Sequence, residues 1–175
     1  MSDQGADPLR VGLAAGREEA FAALYDRYAE RLYRAALTLL GEPADAEDAV
    51  QETFMAMVRS RKRLARVHNL TAYLFAALRH AAARCAERRR RRPIAAHDAV
   101  QGAPAGDGPA RADPRCERLQ RALSALPAEQ RDVLALKVDG GLTFAEIGQA
   151  LAVSANTAAS RYRYALGKLR AALEE

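Results

Sequence analysis

Thr143-Phe-Ala-Glu-Ile-Gly-Gln-Ala-Leu-Ala-Val-Ser-Ala-Asn-Thr-Ala-Ala-Ser-Arg-Tyr-Arg163 decides the fold. Thr143 and Glu146 have capping-box spacing, in which each side chain satisfies an orphan backbone N–H at a helix start. A short helix follows, turning Phe144, Ile147 and Leu151 inward. Ala152-Val153 makes a tight turn, and Ser154 caps a final helix whose inward stripe is Ala158, Tyr162, Ala165, Leu169 and Leu173. At 100° per residue, Asn156, Ser160 and Arg163 fall on the opposite side, flanked by Thr157 and Arg161. Two helices so joined suit entry of the second into the major groove of DNA. There Arg can contact guanine O6 and N7 in bidentate fashion, and Asn can pair with adenine N6 and N7. A plain helical hairpin with a solvated Arg face is the bland alternative, but caps, turn, apolar stripe and polar face agree on DNA.

Working back from this pair, helical periodicity covers most of the chain. Leu119, Leu123 and Leu126 form one stripe, and Pro127 fits the first turn of a helix carrying Val133, Leu134, Leu136 and Val138, closed by Gly140-Gly141. Residues 93–115 hold four prolines and three glycines without a stripe, so they read as a flexible tether. Upstream, Phe21, Leu24, Tyr25, Tyr28, Leu32, Ala35 and Leu39 mark a long helix ended by Gly41 and Pro43. A second helix runs from Ala44 to Val58 through Val50, Phe54 and Met57. Ser60 to Asn69 lacks periodicity and reads as a basic loop. Thr71 then starts a helix with Tyr73, Leu74, Ala77, Leu78 and Ala81 inward, running into five arginines, Arg88 to Arg92, and stopped by Pro93. No strand pattern occurs. The expected fold is all-α: a flexible N-terminus (1–16), a helical bundle (17–92), a linker (93–115) and a helix-turn-helix domain (116–175).

Composition narrows the function classes. The chain has 175 residues, half apolar, and no run of 18 apolar residues that could span a membrane. Its first residues show no export signal, so Cys85 and Cys116 are expected to be reduced thiols. Their 31-residue separation has no metal-ligand spacing, and no metal or cofactor is expected. Charge is sharply divided. Residues 17–57 carry four Arg against nine acids, a balance of −5; residues 59–92 carry twelve Lys and Arg against one Glu, a balance of +11. Two surfaces for two different partners would explain this reversal, the bland alternative being a solvated acidic face beside a basic tail.

On the helix from Ala44, Asp45, Asp48 and Glu52 recur at three- and four-residue steps, with Glu47 and Gln51 on a neighbouring ridge. Carboxylates at such spacing repel one another by about 0.2–0.5 kcal/mol per pair, so their retention suggests a basic partner surface. A carboxylate metal site is the competing chemistry, but His80 and His97 complete no ligand set. In the basic stretch, Arg59, Arg61, Lys62, Arg63 and Arg66 can funnel phosphates, while His68, Asn69 and Tyr73 offer stacking and hydrogen bonds to unpaired bases.

These segments together resemble a known family. Leu126-Pro127-Ala-Glu129-Gln130-Arg131-Asp-Val133-Leu134, Thr143-Phe-Ala-Glu146-Ile147-Gly148 and Val153-Ser154-Ala-Asn156-Thr157-Ala-Ala-Ser160-Arg161 are similar to the promoter-recognising C-terminal domain of bacterial sigma factors. Asp45-Ala-Glu47-Asp48-Ala-Val50-Gln51-Glu52-Thr-Phe54 resembles the core-polymerase-binding helix of their N-terminal domain. Both motifs, joined by a short linker, match the extracytoplasmic-function (ECF) group. The resemblance implies a non-enzymatic cytoplasmic, nucleoid-associated initiation factor. It implies core RNA polymerase as partner, through the clamp coiled coil of the largest subunit and the flap, together with promoter DNA and an anti-sigma factor. It assigns Asp45, Glu47, Asp48, Gln51 and Glu52 to polymerase. It assigns Arg61, Lys62, Arg63, His68, Asn69, Tyr73, Arg79, His80 and Arg84 to the −10 element, and Thr143, Asn156, Thr157, Ser160, Arg161 and Arg163 to the −35 element. Tyr73 replaces the usual Trp, and Ala158-Ala159 the frequent Val-Lys. Ala152 replaces a usual turn Gly, so the promoter sequence does not carry over. The alternative reading, a stand-alone helix-turn-helix regulator, would have no need of the acidic helix or the basic loop.

Overall fold

The computed structural model describes residues 7–91 and 114–174, and these form helices joined by short turns, with no strand among them. The elements are α1 (Pro8–Ala14), α2 (Glu18–Leu40), α3 (Pro43–Arg59), α4 (Arg61–Leu64), α5 (Leu70–Arg91), α6 (Pro114–Ala125), α7 (Ala128–Val138), α8 (Phe144–Leu151) and α9 (Ala155–Glu174). The all-α expectation holds.

Helix ends follow local chemistry. Gly41 closes α2 at φ 76°, its N–H bonding Leu37 O at 2.8 Å, and Pro43 opens α3 at the first helical position, where no amide hydrogen is needed. Thr143 and Glu146 form the capping box in full. Three sequence expectations are corrected. The N-terminal segment is ordered from Pro8: Asp7 accepts from Leu9 N at 3.1 Å, Pro8 occupies the first turn, and Leu13 is fully buried. The basic loop contains the short helix α4, because Leu64, its single large apolar residue, is drawn into the core. The cap of α5 is Asn69, whose Oδ1 accepts from Ala72 N at 2.9 Å; Thr71 instead bonds the Tyr28 hydroxyl. The tether lies outside the described residues except for Pro114 and Arg115, which begin α6.

The N-terminal bundle packs Leu24, Tyr28, Leu32, Ala35 and Ala36 of α2 against Ala46, Ala49, Val50, Thr53 and Met57 of α3 and Leu74, Phe75, Leu78, Ala81 and Cys85 of α5. Alanines along α3 and α5 let these helices approach closely, and Thr53 satisfies its buried hydroxyl on Ala49 O at 2.7 Å. Tyr25 and Val138 are not core residues: they are 56% and 63% exposed. Each lies at the edge of its stripe. Leu173, near the end of α9, is exposed for the same reason.

The two halves share one core. Val133, Ala135 and Leu136 of α7, with Leu142, Ile147 and Ala158, join the cluster formed by α2, α3 and α5. A smaller cluster of Leu126, Leu134 and Ala165 ties α6 and α7 to α9. Polar links cross the same boundary. Arg31 Nε donates to Asp139 O at 2.9 Å and its Nη2 to Gly140 O at 3.0 Å, placing a cation on the carbonyl end of α7.

Candidate polymerase and promoter surfaces

On α3 the acidic residues divide between two faces. Asp45 pairs with Arg89 at 3.2 Å, and Glu52 with Arg84 at 2.9 Å and Arg88 at 3.6 Å. Part of the acidic helix is therefore compensated inside the chain by α5, contrary to the sequence reading of uncompensated carboxylates. The partners lie 32 and 44 residues downstream, beyond any local pattern. The same pairs and the contacts of Arg90 and Arg91 with Glu87 occupy much of the arginine run.

Glu47, Asp48 and Gln51 remain exposed. Glu47 and Gln51 line a groove of about 660 Å³ between α2 and α3, with Tyr25, Tyr33, Val50, Phe54 and Met55 on its floor and walls. Tyr25 and Phe54 stack obliquely, ring centroids 5.1 Å apart, and Met55 is 54% exposed. An apolar trough with an acidic rim suits an amphipathic helix with basic residues. Tyr25, Tyr33 and Met55 are absent from the sequence-derived set. For Tyr25 and Tyr33 the signal is a second stripe on α2, Phe21, Tyr25, Ala29 and Tyr33, at four-residue steps.

The sequence-derived −10 residues do not form a single free surface. Arg61, Lys62, Arg63, His68 and His80 are exposed. Tyr73 is half-buried, its hydroxyl 3.4 Å from Ser60 Oγ. Arg84 belongs to the Glu52 pair. Asn69 and Arg79 face the other half of the molecule. The Asn69 amide donates to Glu146 Oε1, and Arg79 reaches Asp132 at 3.4 Å. Glu146 thus collects bonds from Thr143 N, Thr143 Oγ1 and Asn69 Nδ2; the Thr143 donors above all hold its carboxyl below the ordinary value.

In the helix-turn-helix unit, Gly148 is held within a tight turn: Val153 N bonds its carbonyl at 2.9 Å, and a Cβ there would stand 2.7 Å from Val153 O. Ser154 caps α9 through Thr157 N at 3.0 Å. Ala158 and Ala165 are buried, while Asn156, Thr157 and Arg163 are exposed on the far side, with Ser160 half-buried and 3.3 Å from Arg163 Nη2. Arg161 instead bonds Glu129 of α7 at 2.9 Å. Tyr164, seven residues after Thr157 and 69% exposed, lies on the same side of α9; sequence reasoning passed over it as a residue between two stripe positions.

Among the described residues no group of three His, Cys, Asp or Glu side chains could hold a metal, and no helix is long and apolar enough to cross a membrane.

Comparison with known proteins agrees with this layout. Sigma-70 region 2 matches residues 24–93, and Sigma-70 region 4 matches residues 122–171. The ECF RNA polymerase sigma factor SigL of Mycobacterium tuberculosis H37Rv is 33% identical over 172 residues, covering 94% of both chains. The RNA polymerase sigma factor CarQ of Myxococcus xanthus is 30% identical over 161 residues, covering 91% of this chain and 92% of the relative. The fold resembles that of CnrH, solved in complex with the cytosolic domain of CnrY: TM-score 0.68, 24% identity and 95% of each chain covered. It also resembles the sigma factor RpoE of Bartonella quintana bound to the anti-sigma factor NepR: TM-score 0.67, 24% identity, covering 88% of this chain and 96% of that one. With both sigma regions in order and relatives matched along nearly its whole length, the chain belongs to the ECF sigma factors, which direct RNA polymerase to specific promoters.

Proposed function

We propose that the chain binds core RNA polymerase through the α2–α3 groove, captures unpaired −10 bases with the 60–80 surface and reads the −35 element with α9. The observation that carries this reading is the groove. Its rim carries the carboxylates of Glu30 and Glu47 and the neutral amide of Gln51, and with its floor of Tyr25, Phe54 and Met55 it matches a helix with basic residues, the chemistry expected of a clamp coiled coil. On α9, Asn156, Thr157 and Arg163 supply the groove-reading groups, with Ser160 at the margin and Arg161 held by Glu129, while Thr143 stands at the start of α8 with its hydroxyl on Glu146. Arg61, Lys62 and Arg63 attract phosphates near His68, Tyr73 and His80. The chain supplies recognition, and the polymerase the chemistry, at the nucleoid.

Asn69 and Arg79 are engaged by Glu146 and Asp132 in the closed arrangement, so the promoter-bound form has the two halves apart. An anti-sigma protein, such as the one bound to the Bartonella neighbour, would act by holding them together. Joined to one polymerase, the two weak DNA sites would gain by effective concentration.

Run-off transcription with purified core polymerase tests the reading. Promoter-specific transcripts that depend on this protein are expected. Absence of such transcripts, together with tight binding to a palindromic duplex, would show instead a stand-alone helix-turn-helix regulator.

A further inference from the structure

α1 is organised for a role beyond closing the core. Asp7 caps it, Pro8 starts it, and Arg10 lies 3.9 Å from Asp7, so the short helix is fixed at its own N-terminus. Leu13 anchors its other end in the core. Gly12 brings it close to α2: a Cβ there would stand 2.7 Å from Ala20 Cβ. The Arg10 side chain, four-fifths buried, does not end in solvent. Its guanidinium crosses to donate to Val67 O, the carbonyl just before His68.

That bond restrains the backbone on the N-terminal side of His68. On the other side Asn69 is pinned by its own cap on Ala72 N. The exposed His68 therefore projects from a peptide segment held at both ends: by α1 at Val67 and by α5 at Asn69. Leu64, buried in the same core as Leu13 on the helix that α1 packs against, fixes the start of the segment. A flexible basic loop would lose conformational freedom on ordering around a flipped base; a segment already held loses less. An imidazole so presented, in the segment that follows the exposed cations Arg61, Lys62 and Arg63, suits stacking on an unpaired base.

We infer that α1 is a strap that sets the 65–69 segment for base capture, with Arg10 as its positioning residue and His68 as the base-stacking contact. This rests on the −10 reading proposed above. In the family match α1 lies outside region 2, which begins at residue 24.

The test uses the full chain with core polymerase and fork-junction DNA, a duplex whose −10 bases are unpaired and randomised. Wild-type holoenzyme first selects its preferred bases from this pool. The Arg10→Ala holoenzyme is expected to bind the selected fork about tenfold more weakly, the scale of one hydrogen bond from a charged donor, and to relax preference at one unpaired position. His68→Ala should relax the same position, and the double variant should lose little more than either alone. Arg10→Lys, which can still reach a carbonyl, should restore the preference. Core binding should be unchanged in all three single variants. Retention of the wild-type base preference by Arg10→Ala would overturn the strap. So would an equal loss on every fork sequence, the mark of a merely structural helix. If wild-type holoenzyme itself selects no unpaired base, the −10 reading fails, and the strap with it.

Discussion

At φ 54° and ψ 42°, Ala152 holds the left-handed conformation, the single non-glycine residue with positive φ among those described. It is the C-cap of α8, and the reversal into α9 demands this geometry, with Val153 N turning back to Gly148 O. A Cβ in that region costs roughly 1–2 kcal/mol. Glycine would remove the strain but would gain freedom in the unfolded chain, which returns about 0.4–1 kcal/mol of the benefit. Ala152→Gly is therefore expected to stabilise the protein by about 0.5–1 kcal/mol, read as a higher denaturant midpoint with unchanged slope. Gly148 is the opposite case, since a Cβ there meets the Val153 carbonyl, which cannot move without undoing the turn. Gly148→Ala should destabilise and loosen the angle between α8 and α9, with −35 duplex binding falling alongside.

α3 shows what sequence periodicity can and cannot reveal. Its helical extent was legible because the three- and four-residue apolar spacing carries it, and its acidic character stands in the sequence itself. Which carboxylates face outward was not legible: Asp45 and Glu52 are sorted by arginines on α5, far along the chain. The capping box at Thr143 was readable for the opposite reason, its partners being three residues apart. α1 was missed because seven residues give little periodicity, and its anchors at Leu13 and Val67 are tertiary. This sorting separates two variants of α3. Glu47→Lys with Met55→Asp alters the groove alone and should weaken core binding at least about tenfold while leaving the melting temperature in place. Glu52→Lys would put a third cation beside Arg84 and Arg88, and should lower stability by about 1 kcal/mol through lost and reversed pairing, in urea titration. For α8, the lowered carboxyl of Glu146 sets a pH response. Its contribution is complete above the ordinary carboxylate value and disappears as pH falls through the lowered one, so Glu146→Gln should flatten the acid limb of the thermal-stability profile.

The whole molecule is seen in a closed form, with one core spanning both halves, and the promoter-bound form proposed above would have to open it. Two half-buried carboxylates lie along the boundary. Burial raises Asp132 and Asp139, and the arginines beside them, Arg79 for one and Arg34 for the other, offset this only in part. The closed form therefore binds protons at these sites more readily than a form that exposes them, and closure strengthens as pH falls through the raised values toward the ordinary carboxylate range. Asp139→Asn should remove its share of that dependence, leaving that of Asp132, without opening the protein, because the two links from Arg31 end on main-chain carbonyls. Arg31 is thus the residue to remove. It also stacks over Tyr28 and Phe75, 5.5 and 5.7 Å from the ring centroids, so it joins α2 and α5 to the end of α7. Its loss would leave the carbonyls of Asp139 and Gly140 without their donor, at a cost of about 1–3 kcal/mol, enough to shift a closed-to-open ratio by about five- to 150-fold. Arg31→Ala is expected to raise the radius of gyration in small-angle scattering and to expose Asn69 and Arg79, giving tighter binding of single-stranded −10 DNA without polymerase. An unchanged radius would mean that Val133, Leu136 and Ile147 hold the halves together on their own, and that opening depends on a partner that displaces them.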